Sequence, residues 1–162
     1  MRKIYLFTVI TIVLFSACSK DKVNFDAAKQ LQKEIKLIKA YLTEHSLTAT
    51  KTASGLYYII TKEGIGDTYP TTMSTITVHY KGYYLNGKTI FDQTQTGSPT
   101  TFSLSTNIIS GWKEAITFLK QGGKGTFFIP SSLAYGVKGS KDGNIKPNTV
   151  LVFDVELVSF EN

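Results

Sequence analysis

The chain has 162 residues, 42% of them hydrophobic and 19% charged, a size and balance that suit one globular domain with a modest extension and exclude two large domains. Its formal net charge is +6, yet Arg2 is the only arginine and the lysines are scattered along the chain. Arginine supplies most bidentate contacts to phosphate and guanine, so this balance argues against a nucleic-acid partner and for a charge that serves solubility, with at most weak attraction to anionic surfaces.

Residues 1–17 have the anatomy of an export signal: Arg2 and Lys3 form the charged start, Ile4 to Phe15 an apolar run, and Ser16-Ala17-Cys18 a small-residue cleavage site. The run is too short to span a bilayer. Cys18 is the sole cysteine, which excludes a disulfide within the chain, and it stands where bacterial lipoproteins are acylated. The alternative is a thiol left beside an ordinary cleavage site. Phe15 departs from the leucine that the lipobox prefers three residues before the cysteine. From Phe25 to His45, Phe25, Ala28, Leu31, Ile35, Ile38 and Leu42 recur at steps of three and four between lysines, which predicts an amphipathic helix. Its apolar face could pack on the following domain, pair with a second copy as a weak homodimer, or lie near a lipid surface; periodicity does not choose. Thr48 to Gly55 is small and polar, as suits a linker or a loop into a first strand, so residues 18–53 are expected to form an anchored helix and linker, and residues 54–162 the domain.

Leu56 to Thr61 and Thr75 to Leu85 are rich in tyrosine, threonine, valine and isoleucine, and Asn86-Gly87 offers positive φ angles for a tight hairpin. Phe102 to Ser105, Gly125 to Pro130 and Thr149 to Phe160 extend the antiparallel set. In the last, Leu151, Phe153, Val155 and Leu157 alternate with Asp154 and Glu156, predicting one buried and one wet face. A helix is expected from Gly111 to Gln121, with Ser110 as N-cap, Gly122 or Gly123 as its end, and Trp112, Ala115, Ile116 and Leu119 on one face. The fold class is therefore α+β: a strongly curved antiparallel β-sheet wrapped around one short helix, preceded by the N-terminal amphipathic helix.

Nothing in the sequence assembles a nucleophile, because the cysteine lies in the signal region, His45 and His79 sit in different elements, and no hydrolase-type serine motif occurs. His79 has no companion ligands, so no metal is expected, and Lys124 is followed by Gly125 rather than Ser or Thr, unlike a phosphate loop.

A different set of motifs stands out: Val78-His79-Tyr80-Lys81-Gly82, Thr89-Ile90-Phe91-Asp92, Ile109-Ser110-Gly111-Trp112, Ala134-Tyr135-Gly136, and Val152-Phe153-Asp154-Val155-Glu156-Leu157. In this order, from about Ser54 to Phe160, the chain resembles the FKBP-type peptidyl-prolyl isomerases, in a bacterial lipoprotein form. The resemblance implies rotation about X-Pro bonds, with no cofactor and no covalent intermediate. It places Tyr80, Phe91, Ile108, Ile109, Trp112 and Phe153 on a pocket wall, with the Trp112 indole beneath the proline ring. It makes the Tyr135 hydroxyl and the Ile109 N–H donors toward a substrate carbonyl, and Asp92 a polar group at the rim. An ionised carboxylate accepts hydrogen bonds but cannot donate them, so Asp92 is assigned positioning work. Ile145 and Phe102 are further substrate contacts on the same grounds.

The implied partners are proline-containing polypeptides, FKBP-type macrolides, and the membrane through a lipid on Cys18, placing the protein in the bacterial envelope on the periplasmic or surface side of the outer membrane. Pro99-Thr100-Thr101 departs from the family where many members carry a rim aromatic after the proline. That leaves a non-catalytic proline-binding or chaperone-like module as the competing reading. The stretch Leu104 to Ile108 is one residue shorter than in familiar eukaryotic members, and the loop Gly136 to Pro147 one longer.

Overall fold

The computed structural model describes residues 26–162; the expected signal, Cys18 and Phe25 lie outside the described residues. The first helix, α1, runs Ala27–Glu44. Asp26 caps it, accepting the Lys29 N–H at 3.1 Å, and Ser46 ends it at φ 53°, where the Leu47 N–H reaches back to the Leu42 carbonyl at 2.8 Å. No helix among the described residues is long and apolar enough to cross a membrane.

Seven strands follow: β1 Thr50–Lys51, β2 Tyr57–Lys62, β3 Thr75–Tyr84, β4 Ile90–Gln93, β5 Thr100–Ser103, β6 Lys124–Ile129 and β7 Leu151–Glu161. They form one antiparallel sheet in the order β1-β2-β6-β7-β3, with β4 and β5 sharing the far edge of β3. β5 pairs with Thr75 to Val78 and β4 with Lys81 to Tyr83, so the chain between them leaves the sheet beside Tyr80. The second helix, α2, spans Ser110–Ile116 and lies in the hollow of the curved sheet.

The core has two parts. Inside the curve, Trp112, Ala115, Ile116 and Leu119 pack against Ile76, Val78, Phe127, Ile129, Leu151, Phe153, Val155 and Leu157. Outside it, Ile35, Ile38 and Leu42 of α1 pack against Tyr57, Phe128, Val150 and Val152. Of the fates open to the apolar face of α1, the structure shows packing on the domain. This changes the expectation for β7: Leu151, Val152 and Phe153 are all buried, because α1 covers the face that alternation assigned to water.

Three local expectations are corrected. α2 stops at Ile116 rather than Gln121, since the Phe118 and Leu119 N–H groups turn to the carbonyls three residues back and the Thr117 hydroxyl takes that of Glu114. Ile109, not Ser110, holds the N-cap position, and the Ser110 hydroxyl instead donates to the Leu133 carbonyl at 3.3 Å. In the hairpin after β3 only Gly87 takes positive φ, at 69°; Asn86 works through its side-chain oxygen, which accepts the N–H groups of Lys88 and Thr89. Within the expected linker, Thr50–Lys51 is an edge strand paired to β2.

Candidate functional site

Between α2, the central strands and the loop before β7 lies an open hollow of about 510 Å³. Its lining contains the residues that the resemblance assigned to the pocket and its rim: Tyr80 from β3, Phe91 and Asp92 from β4, Phe102 from β5, Ile108 and Ile109 before α2, Trp112 within it, Tyr135, Ile145, and Phe153 from β7. Cys18, the expected lipidation site, lies outside the described residues.

The floor is aromatic. The Trp112 indole, only 6% exposed, has Tyr80 and Phe153 edge-on to it, each with ring centroids 5.3 Å away, at 86° and 85°. Phe102 stands at 5.3 Å, and Phe91 meets Phe153 edge-on at 5.4 Å. Such T-shaped contacts fix ring orientation as well as burying area. Two glycines make the arrangement possible. A Cβ on Gly82 would lie 2.7 Å from the Phe91 ring and 2.8 Å from that of Phe153, so β3 can pass beneath both rings only without a side chain. A Cβ on Gly111 would collide with the Ile129 side chain, which explains why the residue before Trp112 is glycine.

The rim is polar. The Tyr80 hydroxyl donates to an Asp92 carboxylate oxygen at 2.7 Å. Burial, reinforced by that carboxylate, holds the Tyr80 hydroxyl protonated well above the usual phenol range. Tyr135 is 41% exposed, and its phenol is also pushed up, first by burial and then by the charges of Asp142 and Asp92. Both tyrosines therefore remain O–H donors at neutral pH. The Ile109 N–H donates to no backbone carbonyl among the described residues.

Sequence reasoning missed four lining residues: Asn107, Ser140, Asp142 and Asn144. The last three tie their own loop. Ser140 donates to Asp142, which also accepts the Asn144 N–H at 3.2 Å and its side-chain amide at 2.7 Å. These bonds, the Ser140 contact foremost, hold the Asp142 carboxyl below the usual carboxylate range. The Ser140 oxygen accepts the Ile145 N–H at 2.9 Å and so sets Ile145 facing the hollow. The signal was present in Ser140-Lys141-Asp142-Gly143-Asn144, a run whose short polar side chains favour turns closed on their own backbone.

Residues 66–158 match the family of FKBP-type peptidyl-prolyl cis-trans isomerases. The chain is 51% identical over 108 residues, 66% of its length, to a Neisseria meningitidis protein named probable FKBP-type peptidyl-prolyl cis-trans isomerase FkpA, and covers 38% of it. It is 42% identical over 66% of its length to the Coxiella burnetii peptidyl-prolyl cis-trans isomerase Mip, of which it covers 45%. The chain thus spans less than half the length of either relative. Among solved structures, a Pseudomonas syringae peptidyl-prolyl cis-trans isomerase superposes with a TM-score of 0.69 at 30% identity, covering 86% of this chain and 98% of that one. Escherichia coli FkpA gives 0.68 at 35% identity, covering 83% and 63%. The matched segment carries the strands and helix that build the aromatic hollow, and the chain belongs to the FKBP-type peptidyl-prolyl cis-trans isomerase family.

Proposed function

We propose that this protein catalyses cis-trans isomerisation of X-Pro bonds in exported or envelope polypeptides, without cofactor or covalent intermediate. The observation that carries the reading is the nearly buried Trp112 indole at the base of an open hollow ringed by Tyr80, Phe102 and Phe153.

Rotation about the amide is slow because its resonance must be broken, at a cost of about 18 to 20 kcal/mol. The planar amide is more charge-separated than the twisted one, so water favours the planar form. A proline ring set on the indole, with its amide inside the ring of aromatics, loses that water, and the ground state loses more than the twisted state. Lowering the barrier by about 7 kcal/mol accelerates the step roughly 10⁵-fold. The Tyr135 hydroxyl and the Ile109 N–H would grip a substrate carbonyl. Asp92, accepting from Tyr80, would hold that ring in place and work as a positioning group rather than a proton donor. FKBP-type macrolides would compete for the same hollow.

A protease-coupled assay with Ala-Leu-Pro-type and Ala-Phe-Pro-type peptides tests this; no acceleration at micromolar protein would remove the enzymatic reading. Tyr135→Phe keeps the ring and removes one donor. We expect kcat/KM to fall about fivefold to tenfold, the effect of a hydrogen bond of about 1 to 1.4 kcal/mol. An unchanged rate would dismiss the donor role.

A second reading, capture of proline segments without turnover, is favoured by Thr100. It lies exposed in β5, where many family members place a rim aromatic. Binding of the same peptides without acceleration would select it. We further propose that a lipid on Cys18 anchors the protein at the bacterial outer membrane. Cys18→Ser should then move it from the membrane to the soluble fraction, and continued retention counts against acylation. Self-association through α1 is not favoured, because the sheet already occupies the apolar face of that helix.

A further inference from the structure

Glu34, on α1, is a carboxylate only 1% exposed, and nothing in the proposed chemistry uses it. Burying such a group is unfavourable unless donors surround it. Three do. The Ser131 N–H reaches one carboxylate oxygen at 2.8 Å, while the Ser131 hydroxyl and the Gln30 side-chain amide reach the other, each at 2.6 Å. Ser131 is itself 3% exposed and opens a 3₁₀ turn, Ser131–Leu133, that follows β6.

That turn is the mount of Tyr135. The Ser131 carbonyl accepts the N–H of Ala134 at 2.9 Å and of Gly136 at 2.8 Å, so one peptide oxygen fixes the residues on both sides of Tyr135. Glu34 grips the amide and hydroxyl of the same serine. On the far side, the Leu133 carbonyl takes the Ser110 hydroxyl, joining the turn to the start of the helix that carries Trp112. A carboxylate from outside the sheet thus orients a turn that leads, two residues on, into Tyr135 on the lining of the hollow.

We infer that Glu34 is a positioning residue for Tyr135, making the N-terminal helix part of the isomerase site rather than a spacer. This rests on the reading of the hollow as an isomerase site with Tyr135 as donor. Glu34→Ala leaves two buried donors of Ser131 unpaired and frees the turn, and displacement of a substrate-orienting group by a fraction of an ångström is expected to lower kcat/KM about tenfold. Glu34→Gln should restore activity to within about twofold. Its amide oxygen can accept the Ser131 N–H, and its NH₂ can donate to the hydroxyl and to a turned Gln30.

The test uses the full chain, with folding checked by circular dichroism at the assay temperature. Amide hydrogen exchange should quicken at Ala134 and Gly136 in Glu34→Ala while α2 and β7 keep wild-type protection. In a double-mutant cycle, Glu34→Ala should slow the Tyr135→Phe enzyme less than about twofold, because the group it positions is gone. Ser131→Ala, which loses only the hydroxyl, gives a milder effect in the same direction and replaces Glu34→Ala should that variant not fold. Full activity with unchanged exchange in folded Glu34→Ala, or equal slowing with and without the Tyr135 hydroxyl, overturns the inference. Absence of isomerisation in the wild type would instead strike the reading of the hollow, and exchange at Ala134 and Gly136 would still decide whether Glu34 fixes the turn.

Discussion

Trp112→Ala is expected to lower kcat/KM for proline peptides roughly 30- to 150-fold, equivalent to about 2 to 3 kcal/mol of lost transition-state stabilisation. It should also destabilise the domain by about 3 to 5 kcal/mol. Both effects have one source. The indole touches Tyr80, Phe102 and Phe153, so its removal takes away the surface under the proline and leaves a void that lets three rings tilt or admits water to the amide. The two effects separate by measuring urea unfolding beside the protease-coupled rate under conditions where the variant is folded. Trp112→Phe retains an aromatic floor and should recover much of the stability and part of the rate. A folded Trp112→Ala protein with wild-type kcat/KM would mean that the floor of the hollow takes no part in the reaction.

Gly82→Ala should damage the aromatic wall of the hollow directly. Its Cβ would stand 2.7 Å from Phe91 and 2.8 Å from Phe153, whereas carbon atoms in contact prefer about 3.5 to 4.0 Å. One ring or both must move by about 1 Å into the hollow, or β3 must part from its neighbours. Gly82 faces Phe153 on β7 and Asp92 on β4 across the ladder, so the backbone is held on both sides and the rings are the parts that yield. We expect a loss of about 1 to 3 kcal/mol and a fall in kcat/KM of about tenfold. Thermal unfolding and the aromatic NMR shifts of Phe91 and Phe153 report the two consequences; unchanged shifts and rate would show that the hollow has slack the structure does not display.

Much of this architecture was legible in residue order. The alternation of Leu151, Phe153, Val155 and Leu157 named the inward face of β7, and the spacing of Ile35, Ile38 and Leu42 named the buried face of α1. What covers what was not legible. Periodicity shows that a helix has an apolar face but not which surface meets it, so the burial of Val152 beneath α1 could not be foreseen from β7 alone. The boundary of α2 failed for a related reason: Leu119 keeps the helical spacing and is buried, yet it gets there through a tightened turn. In the hollow, the aromatic residues carried a sequence signature, whereas Asn107, Ser140, Asp142 and Asn144 belong to it through loop conformation. In residue order Glu34 is one more charge among the lysines of an amphipathic helix, and its partner Ser131 lies far along the chain.

The placement of β7 bears on how the protein is made. β7 lies between β3 and β6 in the sheet, yet every other strand precedes it in the chain, so the two halves of the sheet have nothing to join them until residues 151–161 have been synthesised. Ladders between such distant segments form slowly, and until then the unjoined strands present free edges to other chains. Until β7 leaves the ribosome the ladders on either side of it stay apart, and its arrival supplies both of their missing neighbours at once.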